Sequence, residues 1–319
     1  LKITIDPFIA SLIAILVLAF LLAQFGIDVS GWYLSEIGTV GIGLIFFLYG
    51  LKLNLATLRS DLSNWRLHVF VQTSTFLVFP LILLPFYLVF VDTDYYMAWL
   101  ALFFMSCLPS TVSSSVIMVS IAKGNVPAAI FNATTSGLLG IVLTPLWFGS
   151  FIASSGESIG YFRLFSGILF QVIIPVTVGV LLRPYIHVFV DAQKSKLGIF
   201  DKSIILLIIF KSFASSFAHN IFREYSIFVF MAMLCCDILV FTAMFFLLGN
   251  VANHYAFSRE DVTVAQFCGS QKSLIHGTVF ASLLFPPHFP VGLLLVPVMF
   301  YHAFQLMFVS FVAHKRSIK

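Results

Sequence analysis

QFCGSQKSLIHG, residues Gln266–Gly277, interrupts a run from Val262 to Leu284 that otherwise has the apolarity of a membrane span. A bilayer core takes about 20 apolar residues per helix, and the flanks of this stretch supply them. Its middle does not fit, because Gly269, Ser270, Gln271, Lys272 and Ser273 fall where hydrocarbon would be. A lysine at the centre of a span costs about 2.5–3.5 kcal/mol on insertion scales. Polar, non-helical backbone is tolerated at that depth only inside protein or beside water. The stretch therefore reads as a broken helix with Lys272 facing a cavity or a partner.

The rest of the chain has the character such a helix needs. It is 60% hydrophobic and 9% charged, with a mean hydropathy of +1.06, against about 25% charged residues in a soluble domain. The expected class is an all-α polytopic membrane protein. Ten spans can be laid out, at Phe8–Phe25, Ile37–Leu51, Leu67–Val91, Met97–Ala122, Val126–Gly149, Phe162–Leu182, Ile199–Phe217, Ile227–Leu248, Val262–Leu284 and Val291–Val312. Lys52–Trp65 reads as a short polar helix along the interface. Leu1–Pro7 is too short for a cleaved targeting segment ahead of the first span.

Charge sets the expected orientation. Of 17 Lys and Arg, thirteen fall on the face that carries the C-terminus: Lys2, Lys52, Arg59, Arg66, Lys123, Arg183, Lys194, Lys196, Lys202, Arg259, Lys315, Arg316 and Lys319. Arg163 and Arg223 fall opposite, and Lys211 and Lys272 lie within spans. The positive-inside rule then places both termini in the cytoplasm, with the protein integral to the cytoplasmic membrane. Trp32, Tyr33, Tyr95, Tyr96, Trp99, Trp147 and Tyr161 form an outer aromatic belt, and Trp65, Tyr185 and Tyr255 an inner one. The net charge of +4 reports this asymmetry and points to no nucleic-acid partner. Cys107, Cys235, Cys236 and Cys268 all lie in spans, without a CxxC, and read as small buried residues.

Five spans precede the Ser/Gly-rich linker Ser150–Gly160 and five follow, giving halves 1–149 and 162–319 joined by 150–161. Five is odd, so the second half enters the membrane from the other side. Such inverted repeats are common in secondary transporters, and matched interruptions in corresponding spans point to a midplane site. The fourth span is indeed interrupted, at Ser106–Ser115, SCLPSTVSSS, where Pro109 removes a backbone donor and crowds the preceding turn.

A broken helix leaves unpaired N–H groups where its second half begins and unpaired carbonyls where its first half ends. The former suit an anion, the latter a cation. Ser110, Thr111, Ser113, Ser114 and Ser115 at the first break, and Ser270, Gln271 and Ser273 at the second, add neutral ligands. In the fifth span Asn132, Thr135 and Ser136 share one helix face, where the alternative role is packing between helices. Gln72 is the analogous candidate in the third span, and His276 shares a face with Lys272 but reads as a hydrogen-bonded interior histidine. Asp237 and Lys211, also within spans, are candidates to pair with each other; Lys211 can instead snorkel outward.

These features resemble the bile acid:sodium symporter superfamily. FCGSQKS at Phe267–Ser273, LPSTVSSS at Leu108–Ser115, GNVPAA at Gly124–Ala129 and GLLGIVLTPL at Gly137–Leu146 are similar more narrowly to its SBF-like branch. The resemblance implies ten spans, with the fourth and ninth crossing at their breaks. It implies a core of spans three to five and eight to ten, against which a panel of spans one, two, six and seven moves. Sodium-coupled relatives bind two ions beside the crossing, and by motif match Ser113, Ser114, Asn132, Thr135 or Ser136, Gln72 and Gln271 fall at or near those ligands. One departure matters. Those relatives carry a glutamate where this chain has Phe267, and an uncharged residue where it has Lys272. The exchange repels sodium at the crossing, so the Lys272 ammonium is expected to stand in for a sodium ion; if it releases its proton it would couple transport to protons.

The resulting expectation is a symporter-like secondary transporter moving a small organic anion by alternating access, coupled to sodium or protons. No metal cluster, nucleotide loop or reducible cofactor is visible, so the expected cofactor is none beyond a possible sodium ion. The alternative is a non-transporting membrane regulator of ion homeostasis, since a human member of the branch is linked to calcium handling. A hydrolase built on a Ser110–Lys272 pair is a third, remote alternative.

Overall fold

Apolar runs rich in Leu, Ile, Phe and Ala wind into helices throughout the computed structural model, which describes residues 7–27, 29, 33–53, 62–154, 166–285 and 289–318. Among these there is no β-strand. In chain order the helices are α1 (Pro7–Gln24), α2 (Leu34–Lys52), α3 (Trp65–Phe90), α4 (Tyr96–Ser106), α5 (Ser113–Ile121) and α6 (Val126–Ser154). They continue with α7 (Ser166–Ala192), α8 (Lys194–Ala218), α9 (Ile227–His254), α10 (Arg259–Ser270), α11 (Leu274–Leu284) and α12 (Val291–Ser317).

Six of them, α1, α3, α6, α7, α9 and α12, are long and apolar enough to cross a membrane. The pairs α4/α5 and α10/α11 are each a helix interrupted at the two places the sequence marks; each half, of 9 to 12 residues, is too short to span alone. One expectation needs correction. The linker is not all loop, because α6 continues through Ser154 where Phe151–Ala153 prolong the apolar run; 155–165 lie outside the described residues. Lys52 closes α2 and Leu62–Asn64 form a single 3-10 turn ahead of α3, while the intervening part of the expected interfacial helix lies outside the described residues.

The chain divides into two compact units. The first comprises the described residues of Leu1–Leu53, Ile152–Ser226 and Thr278–Leu293. Within it α2 and α7 pack at close range, and Gly50 permits the approach, since a Cβ there would overlap the Val176 carbonyl. Lys52 pairs with Asp201 at 2.5 Å, and Arg183 donates to the Leu51 carbonyl oxygen.

The second unit comprises the described residues of Asn54–Phe151, Ile227–Gly277 and Leu294–Lys319, and it holds both breaks. Its interior is aromatic: Phe79, Phe103, Phe104, Phe148, Phe241, Phe245, Phe267 and Tyr301 are all buried. Helix α3 runs irregularly through this interior, with a π turn at Ser74–Val78 and a 3-10 turn at Leu84–Phe86. Pro80 supplies no N–H, the 3-10 turn diverts Tyr87 N to Leu84 O, and the carbonyls left over find side chains. Trp147 Nε1 donates to Phe76 O (2.8 Å), and Trp99 Nε1 to Leu83 O (2.9 Å). Cysteine burial is uneven: Cys107 and Cys268 are buried, whereas Cys235 is exposed because it lies off the stripe of Met233, Asp237 and Val240 that α9 buries.

Candidate functional site

The first break runs from Cys107 to Val112, between α4 and α5. Pro109 ends the helical pattern, and its ring fits against Gly140, where a Cβ would stand 2.8 Å from Pro109 Cγ. The exposed backbone groups are taken up by α6: Thr144 Oγ1 donates to Cys107 O (2.8 Å), and Ser110 N donates to Ser136 Oγ (2.9 Å).

The second break is Gln271–Ser273, between α10 and α11. Ser258 caps α10 by accepting from Asp261 N (3.1 Å), and the helix ends after Gly269 and Ser270, two weak helix formers. Gln271 turns extended at φ −82, ψ 149. Helix α12 holds this segment. Gln305 Oε1 accepts from Lys272 N (2.8 Å), Gln305 Nε2 donates to Lys272 O (2.7 Å), and the Tyr301 hydroxyl donates to Ser270 O (2.6 Å).

The two breaks bond to each other. Ser273 N donates to Pro109 O (2.9 Å), and Ser110 Oγ donates to Cys268 O (2.6 Å). They run antiparallel, because Asn125, just beyond α5, donates from Nδ2 to Oδ1 of Asp261 in the first turn of α10 (2.9 Å).

At this crossing Lys272 is 1% exposed. Its ammonium has three donors, and they meet three main-chain carbonyls: Ser106 O at 2.6 Å, Thr75 O at 2.7 Å and Leu108 O at 2.9 Å. The ring of Phe79 lies 4.2 Å away, within cation–π range. The origin of each carbonyl is local. Ser106 and Leu108 lie at the end of α4 and within the break. For Thr75, the π turn shifts the expected donor from residue 79 to residue 80: Phe79 N bonds Ser74 O instead, and residue 80 is a proline. Three carbonyls from two segments thus converge on one cation, as they would on a bound metal ion.

Beside the cage is a hydroxyl cluster. Gln271 Oε1 accepts from Thr111 Oγ1 (2.5 Å), Ser114 Oγ (3.1 Å) and Ser115 Oγ (3.4 Å), while Gln271 Nε2 is buried with no partner among the described residues. Gln72 and Asn132 form a separate pair. Gln72 Nε2 donates to Asn132 O (3.0 Å) and Oδ1 (3.3 Å), Asn132 Nδ2 bonds His68 Nδ1 (2.9 Å), and Gln72 Oε1 is buried with no partner among the described residues. Of the other expected site residues, Ser270 bonds back to Gln266 O (2.6 Å), and His276 Nδ1 bonds Ser273 Oγ (2.9 Å). Ser113 is exposed and Thr135 is half-buried; neither joins the crossing.

Of the residues matched to sodium ligands, Ser114 bonds Gln271, Gln72 bonds Asn132, Ser136 bonds Ser110 N, Thr135 is half-buried and Ser113 is exposed. No group of His, Cys, Asp and Glu fit for a metal occurs among the described residues. Phe267 is packed against Phe245, with the Arg316 guanidinium 5.3 Å over its ring, so its position offers no anionic ligand. The carbonyl cage is the part that fits a monovalent cation, and the chain's own ammonium fills it.

Several participants are absent from the sequence-based set. Thr75 takes part through its main-chain carbonyl, which no side-chain pattern marks. Tyr301, Gln305 and Phe79 also take part, and of these a lone Gln within an apolar span is a signal the sequence carries. Asp237 is buried, and among the described residues neither of its carboxylate oxygens has a hydrogen-bond partner, Lys211 included. A Ser–Lys catalytic pair is also not made, since Ser110 donates to a carbonyl and all three Lys272 N–H groups are committed elsewhere.

Comparison with known proteins agrees with a transport scaffold. The model of the SBF-like CPA transporter family matches residues 6–317. Uncharacterized protein PA2026 of Pseudomonas aeruginosa is 34% identical over 315 residues, covering 97% of this chain and 92% of that protein. The protein named "Putative symporter YfeH" of Escherichia coli K12 is 32% identical over 317 residues, covering 97% and 92%. Sodium/bile acid cotransporter 7 of Mus musculus is 31% identical over 272 residues, covering 84% and 79%.

Proposed function

The chain belongs to the SBF-like CPA transporter family, whose members are transporters rather than enzymes, and from that premise we propose that it moves a small organic anion across the cytoplasmic membrane by alternating access. The observation that carries this reading is the Lys272 ammonium at the crossing. Its carbonyl ligands are dipoles and leave the net charge in place, and among the described residues no carboxylate neutralises it. An anionic solute near this buried charge is stabilised far more than it would be in water. The unpartnered Gln271 Nε2 and the hydroxyls of Thr111, Ser114 and Ser115 then set its orientation.

In this reading the chain has ten spans in two inverted halves, 1–149 and 162–319, with both termini cytoplasmic. The antiparallel contact of Asn125 with Asp261 supports the inversion. The unit holding both breaks is the core, and the other unit is the panel that moves. Lys272 occupies the place of one sodium ion, cross-linking α3, the first break and the second break as a bound cation would. Small-molecule substrate and membrane lipid are the partners.

The test is a thermal-shift measurement on purified protein, wild type and Lys272→Gln, with sodium chloride and with taurocholate, an aryl sulfate and a short-chain carboxylate as anions. Stabilisation by an anion that needs no sodium and disappears in the variant is expected. Sodium stabilisation that survives in the variant would place an intact ion site elsewhere and remove Lys272 from this role. One observation favours a second reading: all three Lys272 donors are occupied, as in a permanent lock in a non-transporting regulator of ion homeostasis. No stabilisation by any of the three anions would favour the lock.

A further inference from the structure

Asp237 is a buried carboxylic acid that the reading above does not use. It lies midway along α9, within the stripe of Met233, Val240, Phe241 and Met244 that this helix buries, and it is 0% exposed. Both of its oxygens lack a hydrogen-bond partner among the described residues. A bare carboxylate so placed is too costly to persist; it must be neutralised. A hard metal ion would need several oxygen ligands, and the side chains sharing this face are thioethers, aliphatic groups and an aromatic ring. A proton needs only the carboxylate itself.

The surroundings show where such a proton would be felt. Phe241, one turn on from Asp237, packs its ring 5.6 Å from that of Tyr301 on α12. Among the described residues, the ionisable groups that feel the Asp237 charge are Tyr301 and, on its own helix, Cys236. Of the other helices packed against α9, α10 buries Cys268 and α4 buries no ionisable side chain, with Cys107 just beyond it. On α12, His302 is half-buried and bonded to Gln305 Nε2 at 2.8 Å. Tyr301 is the link, because its hydroxyl donates to the carbonyl of Ser270, the last residue before the second break.

We propose that Asp237 is a proton-binding site whose occupancy is read at the second break through Tyr301. Protonation forms an O–H bond on one carboxylate oxygen, and release returns the proton to water. With the proton on, Tyr301 holds the Ser270 carbonyl. With the proton off, the carboxylate attracts the Tyr301 hydroxyl hydrogen, and the hold on Ser270 weakens. The proton site stands on its own geometry; its use as the coupling ion rests on the transport reading.

The test uses the full chain in lipid nanodiscs and needs no solute. Infrared spectroscopy should show a protonated carboxylic-acid C=O band at neutral pH, shifted in heavy water, lost as pH is raised and missing from Asp237→Asn. A band that is absent at neutral pH, that survives in Asp237→Asn, or that persists to the highest pH at which the fold survives would overturn the proposal. Hydrogen exchange of the peptide spanning 266–277 gives the second arm. At a pH where the band is gone, wild type should exchange more than tenfold faster than Asp237→Asn, and the two should agree at acid pH. Tyr301→Phe should show fast exchange at both pH values. Titration of the band without any such change would overturn the link through Tyr301. Because neither arm uses an anion, a negative thermal-shift result would bear on the transport reading alone.

Discussion

At the residue scale, Lys272 shows how an ammonium can be held inside a span without a counter-anion. Each N–H to a carbonyl is a charge-assisted bond, worth about 1.5–3 kcal/mol, and three of them with Phe79 offset much of the desolvation. Replacing Lys272 by Met keeps the stem but strands three buried carbonyls, each at about 1–3 kcal/mol. Lys272→Met should therefore lose about 3 kcal/mol net once relief of the buried charge is counted, read as a lower unfolding midpoint in detergent. Gln305 acts on the backbone of the same residue. Gln305→Leu removes both the acceptor for Lys272 N and the donor to Lys272 O, and should cost about 2–4 kcal/mol by the same denaturation assay. Gln305→Leu and Lys272→Met loosen the backbone and the side chain of one residue, so their double variant should fall short of the sum.

At the element scale, the cage depends on an irregularity in a helix remote in sequence. Pro80 leaves Thr75 O without a backbone donor and so makes it available to Lys272. Pro80→Ala restores an N–H at that position, which can take a carbonyl of α3. The substitution should cost little by itself. Combined with Lys272→Met it should recover about 1 kcal/mol of that variant's loss, measured as the interaction energy of a double-mutant cycle. The packing of the first break is a separate matter: Gly140→Val would drive side-chain carbon into the Pro109 ring and should destabilise by about 1–3 kcal/mol in the same assay. The sequence made both breaks legible, one through Pro109 and the other through a Gly-Ser-Gln-Lys run too polar for hydrocarbon. It did not show that Lys272 meets Thr75, because that contact joins residues far apart in the chain and depends on a π turn. Nor did it separate Gln72 and Asn132 from the Gln271 cluster, since spacing shows which residues share a helix face but not which faces meet.

At the scale of the whole molecule, hydropathy and charge carried the assignment to the membrane, and lysine and arginine placement carried the expected orientation. The two broken helices make that orientation testable. Thr93 lies in the turn before α4, and Tyr255 lies in the turn before α10; both are exposed. In the proposed inverted halves they hold equivalent places, which puts them on opposite sides of the membrane. The structure contributes one constraint, the contact of Asn125 beyond α5 with Asp261 at the start of α10, which aligns the end of one broken helix with the beginning of the other. With Cys235, the exposed native thiol, replaced by serine, a membrane-impermeant maleimide applied to intact cells should label Thr93→Cys at once. Tyr255→Cys should be labelled only after the membrane is permeabilised. Labelling of both from the outside would rule out the inverted arrangement, because an odd number of crossings must separate these two turns for the second break to meet the first head to tail.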